Sequence, residues 1–288
     1  MQIGTVFPQT EIGADRGAVR AYAEGVEAAG YQHVVAYDHV LGADWEQHGG
    51  QRPGPYDHNS TFHEPFVLFG FLAGVCRLEL VTGIVILPQR QTTLVAKQAA
   101  EVDLLTGGKL HLGVGLGWNP VEYEALGMSF RSRGRRIEEQ IALMRRLWTE
   151  PVVTFSGRDH QVTAAGIAPL PVQRPIPVWM GAFSPPALRR VGRVADGWLA
   201  NVPPGRGFEE GLAEVRAGAE EAGRDPGSIG LEGRIEARAG DVDRAVRQAE
   251  KWRAAGATHL AVNTMGGSLR AVDDHIAVLT TLAPAVLS

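Results

Sequence analysis

An aspartate beside a histidine is the first pair of residues in this sequence that could transfer a proton. Asp38 and His39 lie in AYDHV (36–40), directly after a short apolar run that predicts a β-strand. Histidine donates and accepts protons near neutral pH, and a neighbouring carboxylate can tune that exchange. A loop histidine that only caps backbone groups has the same local sequence, so both interpretations stay open here.

A second candidate is the glycine-rich segment GGKLHLGVGLGWN (107–119), in which Gly113, Gly115 and Gly117 alternate. A dinucleotide fingerprint requires G-x-G-x-x-G after a strand and an acidic residue about twenty positions later, at the end of the next strand. Here the spacing is G-x-G-x-G, and the acids at that distance, Glu138 and Glu139, fall within a predicted helix. We therefore reject the dinucleotide interpretation. Glycines late in a strand also let a flat ring lie against the backbone, whereas a tight strand–loop transition without a ligand is the alternative.

An anion could bind in VWMGAFSPPALRRVGRVADGW (178–198), where a strand leads into a helix. Ser184 is a favoured N-cap and the following prolines suit the first helical positions. Free N–H groups at such a terminus attract anions, although an ordinary capped helix has the same pattern. The arginines of FRSRGRRIEE (130–139) predict a solvated helix start or, alternatively, a dock for an acidic ligand tail.

The segment 40–63 contains several histidines and aspartates but no pair with the H-E-x-x-H spacing of a zinc site, so we expect no metal there. A long loop after the second strand predicts a lid over a substrate pocket.

Composition excludes several classes of function. The chain has 288 residues, 44% of them hydrophobic, and a net charge of −4, which gives no basic surface for nucleic acid. Its single cysteine, Cys76, permits no intrachain disulfide and suits a reducing compartment. No apolar run approaches the ~20 residues of a membrane helix, and no signal-peptide pattern opens the sequence. These features predict a cytoplasmic protein with no membrane or nucleic-acid partner.

Strand and helix patterns alternate from end to end. Helices are predicted over 15–30, 64–76, 92–108, 132–150, 241–256 and 268–284, and another follows Ser184. Strand candidates rich in Val, Ile and Leu lie at 2–7, 33–37, 78–86, 110–115, 176–181, 197–202, 230–237 and 259–263. Such runs are typical of parallel strands buried on both faces. We therefore predict an α/β fold, a (β/α)₈ TIM barrel forming one domain over 1–288, with an insertion at 153–175 that holds a hairpin.

Three successive blocks, 78–127, 130–157 and 176–199, resemble the luciferase-like monooxygenase family. They are LELVTGIVILPQRQTTLVAKQAAEVDLLTGGKLHLGVGLGWNPVEYEALG, FRSRGRRIEEQIALMRRLWTEPVVTFSG and IPVWMGAFSPPALRRVGRVADGWL. The order and spacing are most similar to the actinobacterial branch that uses the deazaflavin coenzyme F420, whereas other members use FMN. The resemblance implies a barrel with a flavin-type ring at its carboxyl-end mouth, and usually a homodimer.

The resemblance also implies a set of cofactor residues. A bulge in the third strand, often with a cis non-proline peptide, would support the ring, and the alternating glycines would let the ring and ribityl chain pass. The phosphate would lie at the start of the helix after the fifth strand, where Pro186 lacks an N–H. The residues at these positions are Gly83, Ile84, Val85, Gly115, Leu116, Gly117, Gly181, Ala182, Phe183, Ser184, Pro186 and Ala187.

In the sugar-phosphate branch of this family, His39 matches the proton-transfer residue and Asp38 an aspartate that contacts the coenzyme. Trp118 stands where that branch has a catalytic glutamate, and Pro204 where it has a phosphate-binding lysine, so we do not expect a sugar-phosphate dehydrogenase. The nearby Glu122 is the second catalytic candidate. The substrate pocket is predicted to include Trp45, Phe62, Trp118 and Asn201.

The expected function is F420-dependent hydride transfer to or from a small hydrophobic substrate, with His39 as proton donor or acceptor. One alternative is an FMN-dependent monooxygenase supplied by a separate flavin reductase. The other is a flavin-binding protein without catalysis, which the tryptophan at position 118 suggests.

Overall fold

The computed structural model of the protein describes residues 1–51 and 53–288. Its strands are β1 (Gln2–Val6), β2 (His33–Ala36), β3 (Glu79–Thr82), β4 (Val85–Ile86), β5 (Leu110–Gly115), β6 (Val153–Ser156), β7 (Gln161–Ala165), β8 (Val178–Gly181), β9 (Gly197–Leu199), β10 (Gly230–Glu236) and β11 (His259–Asn263). Its helices are α1 (Arg16–Ala28), α2 (Pro65–Ala73), α3 (Thr92–Thr106), α4 (Pro120–Ala125), α5 (Arg133–Thr149), α6 (Pro185–Val194), α7 (Arg206–Glu221), α8 (Val242–Ala254) and α9 (Val272–Val286).

The main sheet is a closed parallel barrel, which confirms the predicted fold. Its order is β3-β2-β1-β11-β10-β9-β8-β5-β4, and a β3–β5 pairing closes it. β3 and β4 are two halves of one barrel strand, so the barrel has eight strands. The break between the halves contains a cis peptide at Gly83–Ile84, where the family resemblance places one. The insertion forms the predicted hairpin, in which β6 and β7 pair antiparallel.

The helices cover the barrel with faces that the sequence pattern predicts. In α1 the buried residues are Val19, Tyr22, Ala23 and Val26, and Asp15 caps the helix by accepting from the amides of Gly17 and Ala18. α3 ends at Gly107 with a positive φ of 69°, a backbone conformation that glycine adopts without strain. In the described part of the chain, no helix is both long and apolar enough to cross a membrane.

Two helices, the short α4 and the long α7, are absent from the predicted set, and in α7 glycines weaken the helical pattern. One glycine of α7 and one of α6 allow these two helices to pack closely. A Cβ at Gly218 would lie 2.0 Å from the carbonyl oxygen of Arg189, and one at Gly192 of α6 would lie 2.0 Å from that of Val215. The two helix backbones therefore approach each other more closely than any side chain at these positions allows.

The hairpin is fixed to α5 by Glu139, whose carboxylate accepts hydrogen bonds from the amides of Arg158 and Asp159 and lies 2.6 Å from Nδ1 of His160. Replacing Glu139 with alanine should lower the free energy of unfolding by about 1–3 kcal/mol, because charged hydrogen bonds to a partly buried turn are lost. Urea titration should show this loss, and Glu24→Ala, which breaks only an exposed ion pair within α1, should have a smaller effect.

The contribution of Glu139 to the free energy of unfolding should also depend on pH. Although burial opposes the shift, hydrogen bonds from His160 and two amides lower the pKa of Glu139. A lowered carboxyl pKa in the folded state stabilises the protein at pH values above the ordinary glutamate pKa. The difference between wild type and Glu139→Ala should therefore shrink as the pH falls from that value through the lowered one. A difference that grows in acid would contradict this account.

Candidate active site

The two predicted catalytic residues meet at the carboxyl end of the barrel. His39 follows β2, and Glu122 lies in the first turn of α4, where Oδ1 of Asn119 accepts from the amides of Val121 and Glu122. This cap turns the Glu122 side chain inward, so that it is fully buried and its Oε2 lies 3.6 Å from Nδ1 of His39. Its Oε1 accepts a hydrogen bond of 2.5 Å from the amide of Val40. Glu122 thus supports both the His39 ring and the backbone that carries it.

Aromatic rings surround His39 on its other sides. Its ring centroid lies 5.1 Å from that of Tyr56, 4.8 Å from Phe62 and 5.4 Å from Trp118. A cavity of about 320 Å³ opens beside His39 and is lined by Phe62 and Trp118 together with Tyr56, His58 and Ser60. Trp45 lies behind this wall: its ring centroid is 6.0 Å from that of Trp118, and its Nε1 donates to the carbonyl oxygen of Tyr56. The histidine therefore faces a cavity with aromatic residues on one side and polar residues such as Asp57, His58 and Ser60 on the other.

Asn201, which the sequence analysis assigned to the substrate pocket, does not line the cavity beside His39. It lines a separate cavity of about 490 Å³ with Pro204, Arg234, Glu236 and Lys251. The reason is topological, since Asn201 follows β9, which lies between β8 and β10 and is not paired with β2 or β5. In that cavity wall, Arg234 donates a hydrogen bond to the hydroxyl of Tyr37.

Asp38 is buried and braces the strand that carries the break. Its Oδ2 accepts from the amide of Ile86, and its Oδ1 lies 2.8 Å from Arg90, which also binds Glu64. Burial raises the pKa of Asp38 against the opposing effect of the Arg90 charge. The sequence analysis did not identify Arg90 as a site residue. Its position in ILPQRQ, just after the end of a predicted strand, could have indicated an ion-pair partner for Asp38. Both oxygens of Asp38 thus have protein partners.

Gly115, Gly117 and Gly181 make room for two isoleucine side chains, those of Ile84 and Ile86, at the break between β3 and β4. A Cβ at Gly115 would lie 2.6 Å from Cδ1 of Ile84, and one at Gly181 would lie 3.4 Å from Cγ2 of the same side chain. Gly117, with a φ of +64°, lies beneath Ile86 in the same way. Ile84 is partly exposed, whereas Val85 is buried. Ile84, Gly115 and Gly181 together form an apolar shelf, and the hydroxyl of Tyr123 fixes the adjacent carbonyl of Leu116 at 2.7 Å.

The start of α6 offers fewer amide donors than the sequence suggested. Pro185 and Pro186 have no N–H, and the amides of Ala187 and Leu188 both donate to the carbonyl oxygen of Ser184 at 2.9 Å. The Ser184 hydroxyl makes no capping hydrogen bond, which also differs from the expectation. Ala182 and Ala187 are buried and Phe183 is 67% exposed. The donors ahead of the helix are therefore the Ser184 hydroxyl and the amides of Phe183 and Ser184.

Two of the four arginines at the start of α5, Arg133 and Arg135, have partners within the chain. Arg133 stacks on Phe130, with its guanidinium carbon 3.6 Å from the ring centroid, and donates to the Phe130 carbonyl. Arg135 lies 3.6 Å from Asp159. These contacts favour the interpretation of a helix start over that of a ligand dock.

Several curated relatives carry functional names, and two of them are described here. A 30% identity over 261 residues links the chain to an F420-dependent hydroxymycolic acid dehydrogenase of Mycobacterium tuberculosis, covering 87% of this chain and 66% of the relative. An F420-dependent glucose-6-phosphate dehydrogenase of Segniliparus rotundus is 30% identical over 219 residues, which cover 72% of this chain and 60% of that enzyme.

Solved structures share the fold over the whole chain. A monooxygenase of Streptomyces bottropensis superposes with a TM-score of 0.78 at 21% identity, covering 100% of this chain and 99% of its own. The F420-dependent tetrahydromethanopterin reductase of Methanopyrus kandleri gives a TM-score of 0.78 at 16% identity and covers 99% and 98%. The family model of luciferase-like monooxygenases matches residues 1–277. The chain therefore belongs to the luciferase-like monooxygenase family.

Proposed function

We propose that this protein is a deazaflavin-dependent oxidoreductase that transfers hydride between coenzyme F420 and a small, hydrophobic organic substrate. The observation that carries the proposal is the pair of His39 and the buried Glu122, which lies beside a cavity with aromatic and polar walls at the carboxyl end of the barrel. Active sites of (β/α)₈ enzymes lie at this end. The F420-dependent relatives support the choice of coenzyme.

The residues present fit a flat, anionic cofactor. The shelf of Ile84, Gly115 and Gly181 offers an apolar surface for a ring, and the Ser184 hydroxyl has no capping bond and can donate to a phosphate. In this assignment Gly83, Val85, Leu116, Gly117 and Asp38 hold the shelf in place, while Ala182, Phe183, Pro186 and Ala187 shape the phosphate end. When bound, F420 supplies or accepts the hydride.

The chain itself supplies the proton-transfer group and the side chains that surround the substrate. His39 donates or accepts the proton at the substrate oxygen or carbon that changes charge, through the ring nitrogen not directed at Glu122. Glu122 fixes the orientation of that ring. Phe62, Trp118 and Tyr56 give the cavity an aromatic side for an apolar part of the substrate, while Trp45 supports Trp118 from behind. Trp118 thus walls the pocket, and Glu122 provides the buried carboxylate.

The decisive experiment is titration of the purified protein with F420 and, separately, with FMN, followed by tryptophan fluorescence. Trp118 lies at the cavity wall, so a nearby cofactor should quench its emission, and Trp118→Phe serves as the control that identifies the reporting ring. We expect tight F420 binding and weak FMN binding. The opposite preference, with oxygen uptake on supply of reduced flavin, would replace the proposal with an FMN-dependent monooxygenase fed by a reductase. Tight F420 binding without turnover of any substrate would favour a non-catalytic flavin-binding protein.

We further propose that the protein acts in the cytoplasm as a homodimer. The single cysteine and the usual assembly of the resembled family motivate these two points. Sedimentation equilibrium of the purified chain tests the assembly, and a monomeric mass would refute it.

A further inference from the structure

A group of histidines and glutamates lies at the opposite end of the barrel from His39. We call His33, Glu79, His111, Glu232 and His259 the floor cluster. His33, Glu79 and His259 are the first residues of β2, β3 and β11, while His111 and Glu232 lie near the starts of β5 and β10. Parallel strands all begin at the same end of a barrel, so these side chains converge although their strands are distant in sequence. The proposed reaction uses none of them.

Three donor atoms of the cluster are arranged at near-coordination spacing. Oε1 of Glu79 lies 3.4 Å from Nδ1 of His111 and 3.9 Å from Nε2 of His259. All three atoms lie within 4.8 Å of one another. Ligands of a tetrahedral zinc ion with bonds of about 2.0–2.1 Å are separated by roughly 3.3 Å. The three donor atoms would therefore have to move closer together to bind a zinc ion.

Several polar atoms of the cluster have no hydrogen-bond partner within the described chain. They are Oε1 of Glu79, Nε2 of His259, Oε2 of Glu232 and both ring nitrogens of His33. His33 is completely buried, and its Nε2 lies 3.7 Å from Oε1 of Glu232. Burying unpartnered polar atoms costs about 1–3 kcal/mol each, so their concentration at one place points to a bound ion or ordered water.

The neighbours of the cluster orient the two histidine rings. Oγ1 of Thr258 lies 2.9 Å from Nδ1 of His259 and donates to the carbonyl oxygen of Leu231. In the tautomer that a metal requires, Nδ1–H donates to this hydroxyl and the lone pair of Nε2 faces Glu79. Metal-binding histidines are commonly held by such an outer hydrogen bond. Trp179 stacks on His111, with ring centroids 5.4 Å apart, and contacts the edge of His259.

Glycines on neighbouring strands clear the space that these rings occupy. A Cβ at Gly4 would lie 2.3 Å from the ring of His33, and one at Gly197 would lie 2.2 Å from the ring of Trp179. His33 of the floor cluster and the neighbouring Trp179 thus occupy space that side chains on β1 and β9 would fill.

We propose that Glu79, His111 and His259 bind a divalent transition-metal ion of the zinc class, with His33 and Glu232 in the surrounding shell. Two imidazoles and one carboxylate form a donor set that zinc uses, whereas calcium and magnesium prefer oxygen ligands alone. Three protein ligands leave a fourth position for water. Because the ion would lie at the end of the barrel opposite His39, its role is structural: it ties β3, β5 and β11 together.

The test is metal binding by the chelator-treated, dialysed protein, without F420 or substrate. We expect about one Zn²⁺ per chain by calorimetric titration, a higher Tm with Zn²⁺ present, and visible absorption bands when Co²⁺ is added instead. Glu79→Gln and His259→Gln should weaken Zn²⁺ binding at least about 10–100-fold, a loss typical of perturbed metal sites. His48→Ala, which removes an exposed histidine from the loop over 40–63, should bind as wild type does.

Either of two results would overturn the proposal: no stoichiometric Zn²⁺ uptake by the wild type, or equal affinity in wild type and Glu79→Gln. The wild-type titration and the partly exposed Glu79 keep the test valid if His259→Gln fails to fold. Loss of binding in His48→Ala alone would place the metal in the loop instead and would also refute the floor site.

Discussion

Replacing His39 with alanine is expected to lower kcat by about 10²–10⁴-fold, the usual contribution of a positioned general acid or base. The dissociation constant of F420 should hardly change, because the ring of His39 contacts Glu122 and the aromatic wall and lies outside the shelf assigned to the cofactor. Steady-state kinetics on a true substrate and fluorescence titration with F420 measure the two quantities separately.

Two further variants sharpen this test. Glu122→Gln can still accept from the amide of Val40 but has no carboxylate to face His39, so kcat should fall less than in His39→Ala. His48→Ala removes an exposed histidine outside the cavity and should retain the wild-type rate. Full activity of His39→Ala would refute the proton-transfer role. An equal loss of F420 affinity and kcat would instead make His39 a cofactor-binding residue.

The barrel could be predicted from the sequence because its signals are local. Apolar runs alternate with amphipathic stretches, and caps such as Asp15 and Gly107 mark helix ends within a few residues. The helix α7 was missed for a reason that is not local: Gly218 is required by the backbone of α6, which is distant in sequence. A pattern within one segment carries no information about such a contact.

The residue types of the candidate site could be predicted from the sequence, but the contacts between those residues could not. The Asn119–Pro120 start of α4 indicates a capped helix, yet only the barrel shows that this cap turns Glu122 towards His39. The sequence likewise could not show which cavity Asn201 lines, since strand order decides where a loop lies. The floor cluster shows this limit of sequence reasoning most clearly. Its three proposed ligands lie on separate strands, so no spacing rule finds them.

Gly113→Ala is expected to destabilise the protein by about 3 kcal/mol or more, at the upper end of the cost of overpacking a core. A Cβ at Gly113 would lie 1.8 Å from the carbonyl oxygen of Thr82 and 2.8 Å from Leu199. The first contact is with backbone at the end of β3, just before the break, so no side-chain rotation relieves it. The hydroxyl of Thr82 also donates to the Gly113 carbonyl at 2.7 Å, which holds the two strands at this distance.

Urea unfolding followed by circular dichroism measures the effect, with Gly70→Ala as the matched control. Gly70 lies within α2, and no atom lies within 4 Å of a Cβ placed there, so alanine should stabilise by about 0.5–1 kcal/mol. Gly115→Ala should fall between the two, because its clash is with the flexible end of Ile84. An unchanged midpoint in Gly113→Ala would contradict the close approach of β3 and β5. The expected ranking assigns the alternating glycines two purposes, since Gly113 accommodates a neighbouring backbone whereas Gly115 and Gly117 accommodate the isoleucines of the proposed cofactor shelf.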